Sequence, residues 1–216
     1  MKRRDFSLVC GAALAGSVLT VNSVQAQALK PQPGADYLLL DKPVAVEAPA
    51  GKIEVVEFFG YWCSHCNAFE PILQEWVKRL PKDISFRRVP VMFAPDHALH
   101  QRLYYAIEAM GLVEKLHGKV FAALHAEKLQ LNRAEALADW VAKQGVDRAK
   151  FVEQFSSFSV TTKASRAKQL QDAYRVEGVP ALGVAGRFYT DGSFAKNMPR
   201  ALQVVEHLVS EIRAGR

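Results

Sequence analysis

Two cysteines stand in the segment Phe59-Gly-Tyr-Trp-Cys63-Ser-His-Cys66. Thiols at this spacing can close a small disulfide, supply half of a zinc site, or exchange electrons with other thiols. What precedes and follows them narrows the choice. Ile53–Phe59 is a β-branched and aromatic run that predicts a buried strand of a mainly parallel sheet. After the pair, Phe69, Ile72, Leu73, Trp76, Val77 and Leu80 recur at helical spacing and predict an amphipathic helix over 67–80, kinked at Pro71. Cys63 therefore falls at a strand-to-helix junction. The first amides of a helix are unpaired and carry partial positive charge, so a thiolate there is stabilised. His65 can add a positive charge or a hydrogen bond. Cys66, one turn on, is expected to face inward as the resolving thiol.

Acidity does not make such a thiol attack faster. For a fall of the pKa to about 5, the thiolate fraction at pH 7 rises about 30-fold. Intrinsic nucleophilicity falls about 40-fold, and the two nearly cancel. The gain lies in leaving-group ability and in equilibrium: a stabilised Cys63 thiolate favours the dithiol, which makes the disulfide an oxidant of other thiols. In the expected cycle, a substrate thiolate attacks Cys63 and expels Cys66. A second substrate thiolate then expels Cys63, leaving the substrate with a disulfide. The redox-active disulfide is the whole of the chemistry, and no separate cofactor is expected.

Three other readings of the pair are weaker. As a structural staple it closes too small a loop, with about 2 kcal/mol expected from chain entropy. As a zinc or copper site it lacks a second cysteine pair; His97 and His100 share a helical face but belong more simply to the solvated start of a helix, so no metal ligand is assigned. A redox-inactive peptide-binding chaperone would keep its activity without either thiol. A disulfide isomerase or reductase is the nearest rival within the class.

Two further features bear on the chemistry. Glu57 interrupts the apolar run Val55–Phe59. An ionised group there is costly without a role or partner. It either shuttles the proton of Cys66 or faces solvent at the strand end. Val179-Pro180 follows Gly178. It is either a cis-proline loop that presents backbone groups to a bound peptide or an ordinary trans turn.

The rest of the chain supplies the frame. A strand is expected over 84–93, then helices marked by Leu99–Met110, Val113–Leu124, a segment opened by a capping box at Asn132, a short one capped by Asp147, and one over 160–176 ended by Gly178. A hairpin around Gly186 and a last helix with Pro199 in its first turn complete the pattern. The order β-α-β, helical block, β-β-α reads as an α/β chain with a helical insertion in one sheet domain. The boundaries are 29–96 and 166–216 for the sheet domain and 97–165 for the insert.

The first 28 residues read as a signal peptide to be removed: Lys2-Arg3-Arg4, an apolar run from Leu8 to Val21, then Ala26-Gln27-Ala28. Cys10 leaves with it, so Cys63 and Cys66 are the only thiols expected in the exported chain. The chain of 216 residues is half apolar with a net charge of +6. The charge is dispersed and lacks the signatures of nucleic-acid binding. No later stretch is long and apolar enough for a membrane span. A soluble monomer outside the cytoplasm is expected.

Together, Glu57-Phe-Phe followed by Cys63-Ser-His-Cys66, the helical insert, Gly178-Val-Pro180-Ala and an opening strand region over 37–46 resemble DsbA-type disulfide oxidoreductases of the bacterial periplasm. The resemblance spans the whole chain after the leader. It implies a thioredoxin fold with an inserted helical domain, Cys63 as nucleophile and Cys66 as its partner. It also implies Glu57 as a buried acid and Val179–Pro180 as a cis-proline loop at the substrate. Reduced, newly exported proteins would be the clients, and a quinone-linked membrane protein of the DsbB kind would restore the disulfide. The usual dipeptide of the family is Pro-His. Here it is Ser64-His65, which places Ser64 as the residue that tunes redox poise.

Overall fold

The computed structural model describes residues 30–216, so the expected leader lies outside the described residues. The first half of the sheet domain holds β1 (Leu38–Leu39), β2 (Ile53–Phe59), α1 (Ser64–Val77) and β3 (Ile84–Pro90). Five helices follow: α2 (His97–Ala109), α3 (Val113–His125), α4 (Ala134–Lys143), α5 (Arg148–Ser156) and α6 (Phe158–Ala173). The chain then returns to the sheet with β4 (Ala181–Val184), β5 (Phe188–Asp191) and α7 (Met198–Arg213). α6 runs unbroken through residue 165, so the insert and the sheet domain share one helix.

The strands form one sheet in the order β1-β5-β4-β2-β3. Only β2 and β3 run parallel; the other three pairings are antiparallel, so the sheet is mixed where a mainly parallel one was expected. The reason is visible in the core. Successive side chains of a strand point to opposite faces. Val55 packs with Phe69, Leu73 and Trp76 of α1 and with the apolar side of α7. Val56 and Phe58 pack with the helical insert. A strand covered on both faces is apolar throughout whatever its neighbours' direction. The result is a thioredoxin fold with a helical insertion.

Several element ends differ from expectation for local reasons. α1 begins at Ser64 rather than near 67, because the Cys63 sulfur accepts the Cys66 amide and caps the helix from outside. It continues through Pro71 to Val77. β3 stops at Pro90, which has no amide to extend the ladder, and Phe93 is exposed. The opening strand is two residues within the 37–46 region. α4 starts at Ala134 behind Arg133 with no side-chain cap, so Asn132 does not open it. Asp147 caps α5 as expected, by accepting the Lys150 amide. α6 ends at Ala173 and the chain turns away at Arg175, with φ +53°, well before Gly178. Tyr174 joins the end of α6 to the sheet: its ring lies 5.0 Å from that of Phe58 and fills the space over Gly183.

The β4–β5 turn is formed by Ala185 and Gly186, both with positive φ. A Cβ on Gly186 would stand 2.0 Å from the Val44 carbonyl oxygen. Gly118, on the exposed side of α3, has open space around it. Gly186→Ala should therefore lower unfolding stability by about 3 kcal/mol, from backbone strain and collision together. Gly118→Ala should raise it by about 0.5–1 kcal/mol through helix propensity. Denaturant midpoints of the two variants check the pair of signs.

Candidate active site

Cys63 sits between the end of β2 and the first turn of α1, in extended backbone, and both cysteines are free thiols. Its Sγ accepts the Cys66 amide at 3.4 Å and, as a thiol, donates to the Val179 carbonyl at 3.3 Å. The Val179–Pro180 peptide is cis. Thus the loop before β4, more than a hundred residues away in sequence, closes against the sulfur of Cys63. Cys63 is only 7% exposed, and Cys66 is 1% exposed beneath it. Ser64 and His65 lie on the solvent side of the turn.

The two thiols have opposite acidities. A hydrogen bond from the Cys66 thiol is the largest influence on Cys63. Burial opposes it, and the Cys66 and His65 amides with the His65 ring add to it. The net effect lowers Cys63 from an ordinary value of 9.0 to about 6. Burial pushes Cys66 far up, and the neighbouring Cys63 and Glu57 push the same way. One sulfur is thus a thiolate at neutral pH, and the other holds its proton until a base takes it.

Glu57 lies in the same interior and acts electrostatically on Cys66. It is 1% exposed, on the β2 face that receives α1 and α7. It does not face solvent. The parallel register pairs it with Arg88 of β3, whose Nε stands 3.1 Å from Glu57 Oε2. Burial raises its pKa most, Arg88 offsets part of this, and Glu70 adds to it, leaving a value of about 8. A carboxyl titrating there can take and return a proton near neutral pH.

Four residues that the sequence did not single out complete this interior. Arg88 also donates from Nη2 to Glu70 Oε1 at 2.9 Å. Glu70 Oε2 stands 3.3 Å from His117 Nε2, and His117 Nδ1 bonds Tyr61 Oη at 2.7 Å. Glu70 lies one turn after Cys66 on α1, and His117 comes from α3. Their signals in the sequence are faint: two adjacent arginines in mid-strand, and an acid beside Phe69 on the apolar side of a helix.

His97 and His100 do not approach the cysteines as ligands. His97 stacks on Trp62 at 4.0 Å and accepts the Phe93 and Ala94 amides through Nδ1. His100 Nε2 bonds the Leu131 carbonyl. Among the described residues, no three acidic, histidine or cysteine side chains are grouped to hold a metal ion. No helix among them is long and apolar enough to cross a membrane.

Beside the pair lies an open hollow of about 440 Å³ lined by His65, Val179, Pro180, Asp191, Lys196 and Met198 among others.

The DSBA-like thioredoxin domain profile matches residues 54–203. The thiol:disulfide interchange protein DsbA of Bordetella parapertussis is 41% identical over 207 residues, 95% of this chain and 96% of that protein. That of Burkholderia cepacia is 39% identical over 195 residues, 90% and 92% of the two chains. The crystal structure of Pseudomonas aeruginosa DsbA superposes with a TM-score of 0.81 at 38% identity, covering 84% of this chain and 94% of that one.

Two measurements follow from these acidities. Thiolate absorbance of the reduced protein should titrate with a midpoint near 6 that Cys63→Ser removes. Because folding lowers this acid's pKa, the reduced fold gains about 1.4 kcal/mol at pH 7 and loses it as pH falls through 6. Its thermal advantage over the oxidised form should shrink across that window. Glu57 has the opposite sign. Its folded value is raised, so the native protein loses stability as pH rises from 4.5 toward 8. Glu57→Gln removes that loss, so the variant's stability relative to the parent should improve by about 3–4 kcal/mol between pH 5 and pH 8. Urea unfolding at the two pH values gives the slope.

Proposed function

The chain belongs to the DsbA family of thiol:disulfide oxidoreductases, and from that premise we propose that it oxidises protein thiols through a Cys63–Cys66 disulfide. Cys63 is the atom a client thiolate attacks, and Cys66 is the partner that leaves and later reforms the bond. The observation that carries this reading is the Cys63 sulfur at the cap of α1, with a pKa of about 6 beside a Cys66 that keeps its proton. At pH 7 the depression is worth about 1.4 kcal/mol, or about 30 mV, in favour of the dithiol. A dithiol so favoured leaves the disulfide an oxidant. The two sulfurs carry the electrons, so the reaction requires no separate cofactor.

The other roles follow from position. Glu57 takes the proton of Cys66 when Cys66 attacks and returns it when Cys66 leaves. His65 supports the thiolate from the solvent side. Ser64, at the first position of α1, adjusts the same equilibrium. Val179 offers its carbonyl to an incoming chain next to Cys63, and Pro180 removes the amide that would compete. Clients are reduced or unfolded proteins that lie across the hollow beside His65.

Residues 1–28 serve as a cleaved export signal, and the protein works as a monomer in the periplasm. Its disulfide is restored by a quinone-linked membrane protein of the DsbB kind. The support is the basic head, apolar run and Ala26-Gln27-Ala28 in sequence, together with family membership.

The reduction potential against glutathione separates an oxidase from a reductase or isomerase. A value more oxidising than the glutathione couple is expected. A value well below it would assign a reductase. In an assay of disulfide formation in a reduced client, Cys63→Ser should abolish turnover. Cys66→Ser, first charged at Cys63 as a glutathione mixed disulfide, should accumulate a mixed disulfide between Cys63 and the client, with glutathione leaving as its thiolate.

A further inference from the structure

Behind the cysteines, a buried line of side chains crosses from the sheet to the helical insert. It runs Glu57, Arg88, Glu70, His117, Tyr61, with separations of 3.1, 2.9, 3.3 and 2.7 Å. Neither carboxylate has Arg88 to itself. Glu57 meets its Nε, and Glu70 meets its Nη2. The second oxygen of Glu70 stands 3.3 Å from Nε2 of His117, which is 2% exposed. The mechanism above uses Glu57 and leaves His117 without a part.

The orientation of the His117 ring follows from its partners. Glu70 is more acidic than usual: burial opposes this, but His117 and Arg88 outweigh it. An ionised carboxylate can only accept, so His117 Nε2 carries the hydrogen and Nδ1 accepts from the Tyr61 hydroxyl. Burial disfavours the imidazolium, despite Glu70, so the ring is a neutral donor. α3 grips the same loop a second time, where His125 Nε2 donates to the Tyr61 carbonyl at 2.8 Å. A small cleft of about 60 Å³ between α1 and α3, lined by Gln74, Lys78, Glu114, Arg88 and His117 among others, reaches the line from solvent.

We infer that His117 is a positioning residue of the redox site: by holding one oxygen of Glu70 it keeps Glu70 from closing on Arg88 with both, and so leaves Arg88 free to hold Glu57. Without the Nε2 donor, the buried Glu70 is left with Arg88 and the Gln74 side chain as its partners. Arg88 then turns toward Glu70, and Glu57 loses part of the positive charge that favours its ionised form. The groups facing Glu57 are Cys66 and Glu70 of α1, Arg88 of β3, Tyr61 of the β2–α1 loop and Tyr104 of α2. His117 acts on it only through Glu70 and Arg88. The helical insert thereby contributes to the proton transfer at Cys66, although it supplies no group to the sulfurs. This inference rests on the proton role proposed for Glu57.

The test uses the step in which Cys66 resolves a Cys63–glutathione mixed disulfide. The Cys63–Cys66 bond forms, the bond to glutathione breaks, glutathione leaves as its thiolate, and the Cys66 proton passes to Glu57. Its rate is followed against pH for His117→Asn, which keeps a group near Nδ1 only, and for His117→Gln, which keeps a donor near Nε2. His117→Asn should shift the rising limb of the profile upward by about one pH unit, about a tenfold loss at pH 7. His117→Gln should restore the parent profile, and His117→Asn should have no further effect in a Glu57→Gln background. A purely structural histidine would lower the melting temperature of both variants and move neither profile, which overturns the inference. A shift that persists in the Glu57→Gln background overturns it too. If Glu57→Gln alone leaves the profile of the parent unchanged, the proton role of Glu57 fails, and this inference with it. An unmoved His117→Asn profile beside a changed Glu57→Gln profile sinks the His117 inference alone.

Discussion

One contact orders the site: the Cys66 amide donating to the Cys63 sulfur. The same hydrogen bond starts α1 and stabilises negative charge on the sulfur. Secondary structure and chemistry therefore share an atom. A helix of fourteen residues hangs from it, and α1 buries Phe69, Leu73 and Trp76 against the sheet and α7. That burial, worth about 1.5–3 kcal/mol for each side chain, holds the first turn in place. The cap thus needs no help from an ordinary serine or aspartate. The sulfur can gain or lose charge while the helix stays anchored by its far side.

The second constraint is the parallel pairing of β2 with β3. Its register sets Glu57 beside Arg88 and forces two buried carboxylates, from a strand and a helix, onto one guanidinium. Desolvation of an isolated pair of this kind commonly costs more than the attraction returns. Here the imbalance is useful. Glu57 is held at the edge of ionisation, at about 8, while Glu70 stays ionised. Two like groups on the same cation thus differ in acidity because burial dominates at Glu57, while His117, Arg88 and Gln74 outweigh it at Glu70.

How much of this was legible in the sequence depended on separation along the chain. Cys63, Cys66 and His65 are neighbours, so their relation to a helix start can be read directly. Glu57 shows because it breaks an apolar run, and Val179–Pro180 because Gly178 and a returning strand flank it. Arg88, Glu70, Tyr61 and His117 do not show. Their meeting depends on a strand register and on where α3 packs, and neither leaves a local pattern. Helix ends were misplaced where an unusual group does the work: a sulfur caps α1, and Arg175 rather than Gly178 takes the left-handed conformation after α6. The mixed sheet was hidden because burial on both faces erases the alternation that would distinguish its strands.

The continuity of α6 has a mechanical consequence. The helix begins in the insert, and its end is pinned to β2 and β4 by Tyr174 over Phe58 and Gly183. Seven residues later the chain reaches Pro180, next to the redox sulfur. A rotation of the insert cannot be absorbed at a hinge between two bodies, since a rigid rod crosses the join. It is passed as torque to the loop that faces Cys63. The insert and the loop at the redox sulfur are therefore geared together through α6.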